Sequence, residues 1–383
     1  MPVNIGLLVP NSNFIPFFSR DILFALELGL KKEKLEDYQL IPEMCGYNAK
    51  KEVLAEKAQI LLVKNRVDLV IAPLNVGMFE MVAGFFASNQ VPLVVLSMGE
   101  DPIFESAQNP HIFVNSFNLW QSAWMAGYWG AETFGKRACS IAALHDGGYG
   151  MGFAFALGVE AQGGQLIQSA VTHRNSSSES PEEQIRELAS HHPDFIFGMY
   201  SGKESVSFLQ TYQSLGLDER IPLIGLPPMA AEHLWPPGGE FPSGVKIVSS
   251  WNRQPAESCQ FEQEFYEQAG HAPNPYLALA YETGQLIARA AQEIGPGAPK
   301  TNQLAEMLKD VECFGPRGLV KFDPLSQETQ TCAYLQEIHL DDEGRFHYKT
   351  LDKLETPPLF FEQQALARKN LIKQGWLNPY LIA

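Results

Sequence analysis

The sequence predicts an α/β protein of two lobes, each a mostly parallel sheet flanked by helices. Three observations predict it. Short runs rich in Val, Ile and Leu alternate with longer stretches of helical period, the pattern of buried strands joined by crossover helices. The alternation runs once and restarts after Asn118. At roughly 150 residues per domain, a chain of 383 residues exceeds one small module and suffices for two cores.

In the first series, strands are expected at 3–9, 39–45, 67–74 and 92–98. Helices are expected between them at 17–32 and 50–65. In the second of these, Val53, Leu54, Ala58, Leu61 and Leu62 share one face. The second series opens with a helix at 119–134 and continues with strands at 138–144, 166–172, 194–199 and 222–226. Among its helices is 181–191, which Ser180 and Pro181 start as cap and first-turn residue. A strand at 244–251 follows, then helices at 256–269, 276–293 and 302–310. The tail changes grammar: 318–322, 331–339 and 345–351 alternate apolar with polar residues, and Asp341-Asp342-Glu343-Gly344 turns the last two into an antiparallel hairpin. A final helix is expected at 363–374.

Composition narrows function. With 45% hydrophobic and 19% charged residues the chain is neither disordered nor a coiled coil. A formal net charge of −16 repels phosphate backbones and anionic membranes, so no nucleic-acid partner is expected. No stretch reaches the roughly 18 to 20 apolar residues of a membrane span. The opening Met1-Pro2-Val3-Asn4-Ile5 does not read as a signal peptide. An extracytoplasmic location is therefore expected if an export signal has been removed, and a cytoplasmic one otherwise. Five scattered cysteines without C-x-x-C exclude a disulfide framework and the usual zinc ribbons, and four of them read as core residues. No metal or cofactor is expected.

The Gly-rich turn His145-Asp146-Gly147-Gly148-Tyr149-Gly150-Met151-Gly152 follows a strand and opens a helix, the setting of a dinucleotide fingerprint. Its spacing is G-x-G-x-G, and Phe153 stands where the third glycine belongs. A tight turn at positive φ, or ligand contact through Tyr149, fits better. No G-x-S-x-G, Ser-x-x-Lys or poised Cys–His pair sits at a strand-to-helix turn, so no enzyme is expected.

Open α/β sheets bind ligands at the carboxyl ends of their strands. Phe14 and Phe17 follow the first strand as candidate pocket walls. Asn75 precedes a helix as a ready cap, its first-turn N–H groups open to an anion. Glu100 and Asp101 end the fourth strand and suit an ammonium or amide, or simply solvate a loop. His145, Tyr149 and Tyr200 hold equivalent ends in the second series; the tyrosines read equally as a lid over a solute or as packing.

The order of these segments resembles the type I periplasmic binding proteins, in the branch with the leucine/isoleucine/valine-binding proteins. The matching residues are Asn4-Ile5-Gly6-Leu7-Leu8, Asp68-Leu69-Val70-Ile71-Ala72, Val91-Pro92-Leu93-Val94-Val95-Leu96-Ser97, Ile141-Ala142-Ala143-Leu144-His145-Asp146, Asp194-Phe195-Ile196-Phe197 and Phe314-Gly315-Pro316-Arg317-Gly318-Leu319-Val320-Lys321-Phe322-Asp323. The resemblance implies two Rossmann-like lobes, 1–117 plus 252–332 and 118–251 plus 333–383, joined by three crossings near 115–118, 249–252 and 332–334. It implies first-lobe contacts at Asn75, Val76, Gly77, Gly99, Glu100 and Asp101, and second-lobe contacts at Tyr149, Tyr200, Pro227 and Pro228. Amino-acid binders of the family often carry an acid for the ammonium where Pro228 stands, and Glu100 or Asp101 can serve instead.

The implied function is a solute-binding component that hands a small polar or amino-acid-like ligand to a membrane ABC permease. The alternative is a cytoplasmic sensor resembling the amide-sensing regulators, with a regulatory protein as partner. Either reading requires a gap between the lobes that the chain's own side chains leave free.

Overall fold

The computed structural model describes residues 2–47, 50–102, 109–176, 178–230, 234–235, 240–295, 301–370, 376 and 380–382. The first sheet comprises β1 (Val3–Pro10), β2 (Tyr38–Gly46), β3 (Leu69–Pro73), β4 (Leu93–Ser97) and β5 (Ile112–Ser116), all parallel, in the order β2-β1-β3-β4-β5. Register places Leu7 beside Ile71, and Ile71 beside Val94. Ile5, Leu7 and Val9 enter one core while Leu8 enters another. A strand buried on both faces reads as an unbroken apolar run.

Helix α1 (Phe18–Lys32) covers one face; α2 (Lys51–Gln59) and α3 (Val76–Asn89) cover the other. The expected helix 50–65 is α2 followed by one π-helical turn, Ile60–Lys64. The sequence reading did not anticipate β5, because only three apolar residues precede the buried Asn115 and Ser116.

The second sheet contains β6 (Arg137–Ala143), β7 (Gln165–Thr172), β8 (Phe195–Met199), β9 (Leu223–Gly225), β10 (Lys246–Ser249), β13 (Ala333–Leu340) and β14 (Phe346–Leu354). Its order is β14-β13-β10-β9-β8-β6-β7; the β13–β14 hairpin is antiparallel, as is the β10–β13 pairing. Helices α4 (Leu119–Thr133) and α5 (Met151–Ala161) pack on one face; α6 (Glu182–Ser190) and α7 (Gly202–Ser214) pack on the other. Pro181 occupies the N-cap position of α6 itself, and Ser180 Oγ accepts from Glu182 N at 3.3 Å.

After β10 the chain returns to the first sheet with α8 (Ala256–Ala269), α9 (Pro275–Ile294) and α10 (Thr301–Asp310). Phe18 of α1 meets Tyr276 of α9 edge to face, with centroids 5.5 Å apart. An unanticipated strand, β11 (Glu312–Gly315), pairs with β12 (Gly318–Lys321) in a small antiparallel ribbon.

The chain passes between the sheets after Ser116, after Ser249 and between Thr329 and Ala333. The crossings bond to one another: Ser250 Oγ donates to Phe117 O at 2.8 Å, and Asn118 Nδ2 donates to Thr331 Oγ1 at 3.0 Å. Beyond the hairpin, α11 (Pro358–Asn370) begins five residues earlier than expected, since proline suits a first helical turn. The expected residues 371–374 lie outside the described ones. Phe360 of α11 sits against Trp120 and Trp124 of α4, with centroids 5.6 and 5.5 Å away. Of the cysteines, Cys45, Cys139 and Cys313 are buried, Cys332 is half-buried and Cys259 is exposed, one fewer in the core than expected.

Candidate functional site

The strand ends of the two sheets face each other across the crossings. From the first sheet, Asn75 caps α3, its Oδ1 accepting from Met78 N at 2.9 Å. Gly99, at φ 67°, turns the chain after β4 beside Ser116 and Asn118, and delivers Glu100 and Asp101. From the second sheet, β6 ends at Ala143 and is followed by His145, the short 3-10 turn Asp146–Gly148 and Tyr149. Asp101 Oδ1 accepts from Gly150 N at 2.7 Å, and Phe14 stacks on His145 at 4.8 Å; both contacts join the lobes.

The gap is not free. Trp376 and residues 380–382 lie in it, which corrects the expectation that the chain's own side chains stay out. Tyr380 is 1% exposed although it stands near the chain end. Its ring stacks on His145 (5.8 Å, 12°) and meets Tyr149 edge to face (5.0 Å, 71°). Its hydroxyl donates to Asp146 Oδ1. Its main-chain N–H points to Glu100 Oε1 at 3.5 Å, and its carbonyl accepts from Tyr276 Oη at 2.9 Å. Trp376 Nε1 donates to His145 O at 2.8 Å, and Asn75 Nδ2 donates to Trp376 O at 3.1 Å.

The Gly-rich turn is used differently from the expectation. Neither Gly148 nor Gly150 has a positive φ. They are needed for close approach: a Cβ on Gly148 meets Trp376 Nε1 at 1.9 Å, and one on Gly150 meets Asp101 Oδ1 at 2.5 Å.

Three carboxyls line the gap. Burial, reinforced by the charge of Asp101, pushes Glu100 up to about 8. Burial raises Asp146 to about 7 and Asp101 to about 6, opposed by the hydrogen bonds from the Tyr380 hydroxyl to Asp146 and from Gly150 N to Asp101. Burial also drives His145 down to about 4, so the imidazole is neutral. Among the described residues no Lys or Arg pairs with these acids. Glu100 Oε2 and His145 Nε2 are buried without a hydrogen-bond partner. A buried carboxyl in this state favours a donor or a cation.

Phe14, Asn75, Glu100, Asp101, His145 and Tyr149 thus converge, whereas other expected residues do not. Phe17 is 64% exposed and lies beside Arg20 and His271, because its left-handed backbone at the start of α1 turns the ring outward. Tyr200 is a core residue, stacked on Phe208 at 4.1 Å with its hydroxyl 2.8 Å from Thr172 Oγ1. Pro227 and Pro228 open a short 3-10 turn outside the hydrogen bonds and ring contacts around Tyr380. Val76 and Gly77 begin α3, but their side chains lie outside the described residues.

The sequence reading missed Asp146, Tyr276, Trp376 and Tyr380 as site residues. Asp146 had a visible signal, an acid at a strand end between two residues already singled out. No metal-binding cluster occurs among the described residues.

The "Leu/Ile/Val-binding protein homolog 6" of Brucella melitensis biotype 1 is 23% identical over 69% of this chain and 68% of its own length. An ABC transporter substrate-binding protein from Sphaerobacter thermophilus superposes with a TM-score of 0.77 at 24% identity, over 92% of this chain and 98% of that one. A solute-binding protein of an ABC transporter from Rhodopseudomonas palustris BisB5, solved with 3,4-dihydroxybenzoic acid, gives 0.76 at 18% identity, over 92% and 97%. Residues 2–344 match the family model described as periplasmic binding protein, and the chain belongs to that family.

Proposed function

We propose that this solute-binding protein takes one small polar or amino-acid-like molecule into the gap between its lobes and passes it, chemically unchanged, to a membrane ABC permease outside the cytoplasm. The lobes 1–117 plus 252–332 and 118–251 plus 333–383 rotate about the three crossings, and a ligand drives closure by bonding to both at once. The observation that carries the reading is the shared constellation: Glu100 and Asp101 from one lobe, His145, Asp146 and Tyr149 from the other, joined by the Asp101–Gly150 bond.

The tail does not remove this reading. The residues that fill the gap lie beyond position 344, where the family match ends, whereas the other groups named around it lie within the match. Relatives named for Leu/Ile/Val binding, and one holding a dihydroxybenzoic acid, support solutes of this size. Nothing observed favours the regulator reading over transport.

The test is a thermal-shift screen of amino acids, amides, aromatic acids and aromatic amines against the purified protein. One chemical class should stabilise it, by about 2.7 kcal/mol at a hundredfold excess over Kd. The stabilisation should vanish in Tyr149→Ala and Glu100→Ala. A stabilising solute that ignores both substitutions would place binding elsewhere and end the proposal.

A further inference from the structure

Tyr380 offers the gap a flat ring, a hydroxyl donor at the far end, and an N–H and a carbonyl at the near end, and each of the four has a partner. The ring has His145 and Tyr149, the hydroxyl has Asp146, the N–H faces Glu100, and the carbonyl has the Tyr276 hydroxyl. All but His145 are less than a tenth exposed. The slot is therefore already shaped and wired for one chemistry, and the chain end supplies it in tethered form.

The match is incomplete at one point, and that point indicates how a free ligand differs. A peptide N–H brings no charge, yet it faces Glu100, which is 2% exposed and whose Oε2 has no partner. Asp101 and Asp146 stand nearby, and no Lys or Arg among the described residues pairs with any of the three. An ammonium in place of the peptide N–H meets that unpaired oxygen and balances part of the buried charge, whereas a carboxylate there is repelled.

Resting on the solute-binding reading, we propose that Tyr380 is a built-in surrogate ligand and that the solute replacing it is a phenolic amine, of the tyramine or tyrosine class. The phenol bonds to Asp146 between His145 and Tyr149, and the ammonium sits at Glu100. Tail and solute compete for one slot, so the docked tail lowers the apparent affinity by the fraction of molecules in which it is undocked. The tail sets a threshold: solute is held only when it outcompetes Tyr380.

The experiment is titration calorimetry on the full chain, with tyramine, 4-hydroxybenzoate and leucine as probes, in the wild type, Tyr380→Ala and Tyr380→Phe. Tyramine should bind Tyr380→Ala about tenfold or more tighter than the wild type, with Tyr380→Phe between them, since the phenylalanine ring still fills the slot without the bond to Asp146. In the Tyr380→Ala background, Asp146→Ala should weaken tyramine about tenfold, as expected for a lost hydrogen bond to a buried charged partner. Should Tyr380→Ala fail to fold, the comparison of Tyr380→Phe with the wild type carries the same prediction. Equal tyramine affinity in all three chains overturns the surrogate role. Tighter binding of leucine or 4-hydroxybenzoate than of tyramine overturns the ligand class and leaves the solute-binding reading standing. If no solute binds any variant, both fail.

Discussion

Replacing Glu282 with Ala should destabilise the protein by about 3–5 kcal/mol, the cost of leaving a buried charge without its partner. Glu282 and Arg317 have fully buried side chains. Arg317 Nη2 and Nε donate to Glu282 Oε2 at 2.7 and 2.9 Å, and Arg317 N donates to Oε1 at 3.0 Å. The guanidinium also reaches Ser116 O and Asn115 Oδ1. Asn115 in turn donates to Leu279 O at 3.0 Å and Thr283 Oγ1 at 3.1 Å, and accepts from Thr329 Oγ1 at 3.1 Å. The network ties α9 and the β11–β12 turn to the end of β5, where the first crossing starts, and to Thr329, where the third does. Chemical denaturation of Glu282→Ala and of the double variant Glu282→Met/Arg317→Met checks it. The double variant should lose far less, because no unpaired charge remains.

Stability should also fall as the pH rises from 6.5 to 8. Glu100 and Asp146 have native pKa values raised by burial to about 8 and about 7, above their ordinary 4.5 and 3.8. Below its ordinary value each group is protonated whether the chain is folded or not. Above it the unfolded chain gives up the proton and the native one keeps it, so stability drops until the native pKa is passed. His145, lowered to about 4, acts in the opposite sense below pH 6.5 and is silent above it. Across the remaining one and a half pH units Glu100 alone accounts for about 2 kcal/mol. Melting points of the unliganded protein at pH 6.5 and 8 measure the slope, and Glu100→Gln should flatten most of it. A slope unchanged by that substitution would assign the effect to other groups.

Strands covered on both faces, such as Val3–Pro10 and Leu93–Ser97, were legible because they admit almost nothing but apolar residues, and the partly exposed β2, β7 and β14 were legible as well. β5 was not, because its Asn115 and Ser116 are buried through partners that lie about two hundred residues away in Arg317 and Thr329. The site divides in the same way. Asn75, Glu100, Asp101, His145 and Tyr149 follow strands and could be read from position alone. Tyr380 belongs to the site through contacts 234 residues away at Asp146 and 280 away at Glu100. No local pattern near the chain end encodes such contacts. Tyr200 was misplaced because a strand-end tyrosine can point either into the gap or back under the sheet, and Phe208 in the second turn of α7 draws it back.

The central claim, that a solute is held between the lobes, is tested most directly by locking them. Asp101 and Gly150 touch across the gap, so cysteines at both positions, with Cys259 and Cys332 changed to Ser, join the lobes on oxidation. Calorimetry with the solutes that stabilise the wild type should find no binding to the oxidised form and binding restored by reduction, weaker than in the wild type because the Asp101 carboxylate is gone. Equal affinity in the two forms would mean that the solute never enters between the lobes.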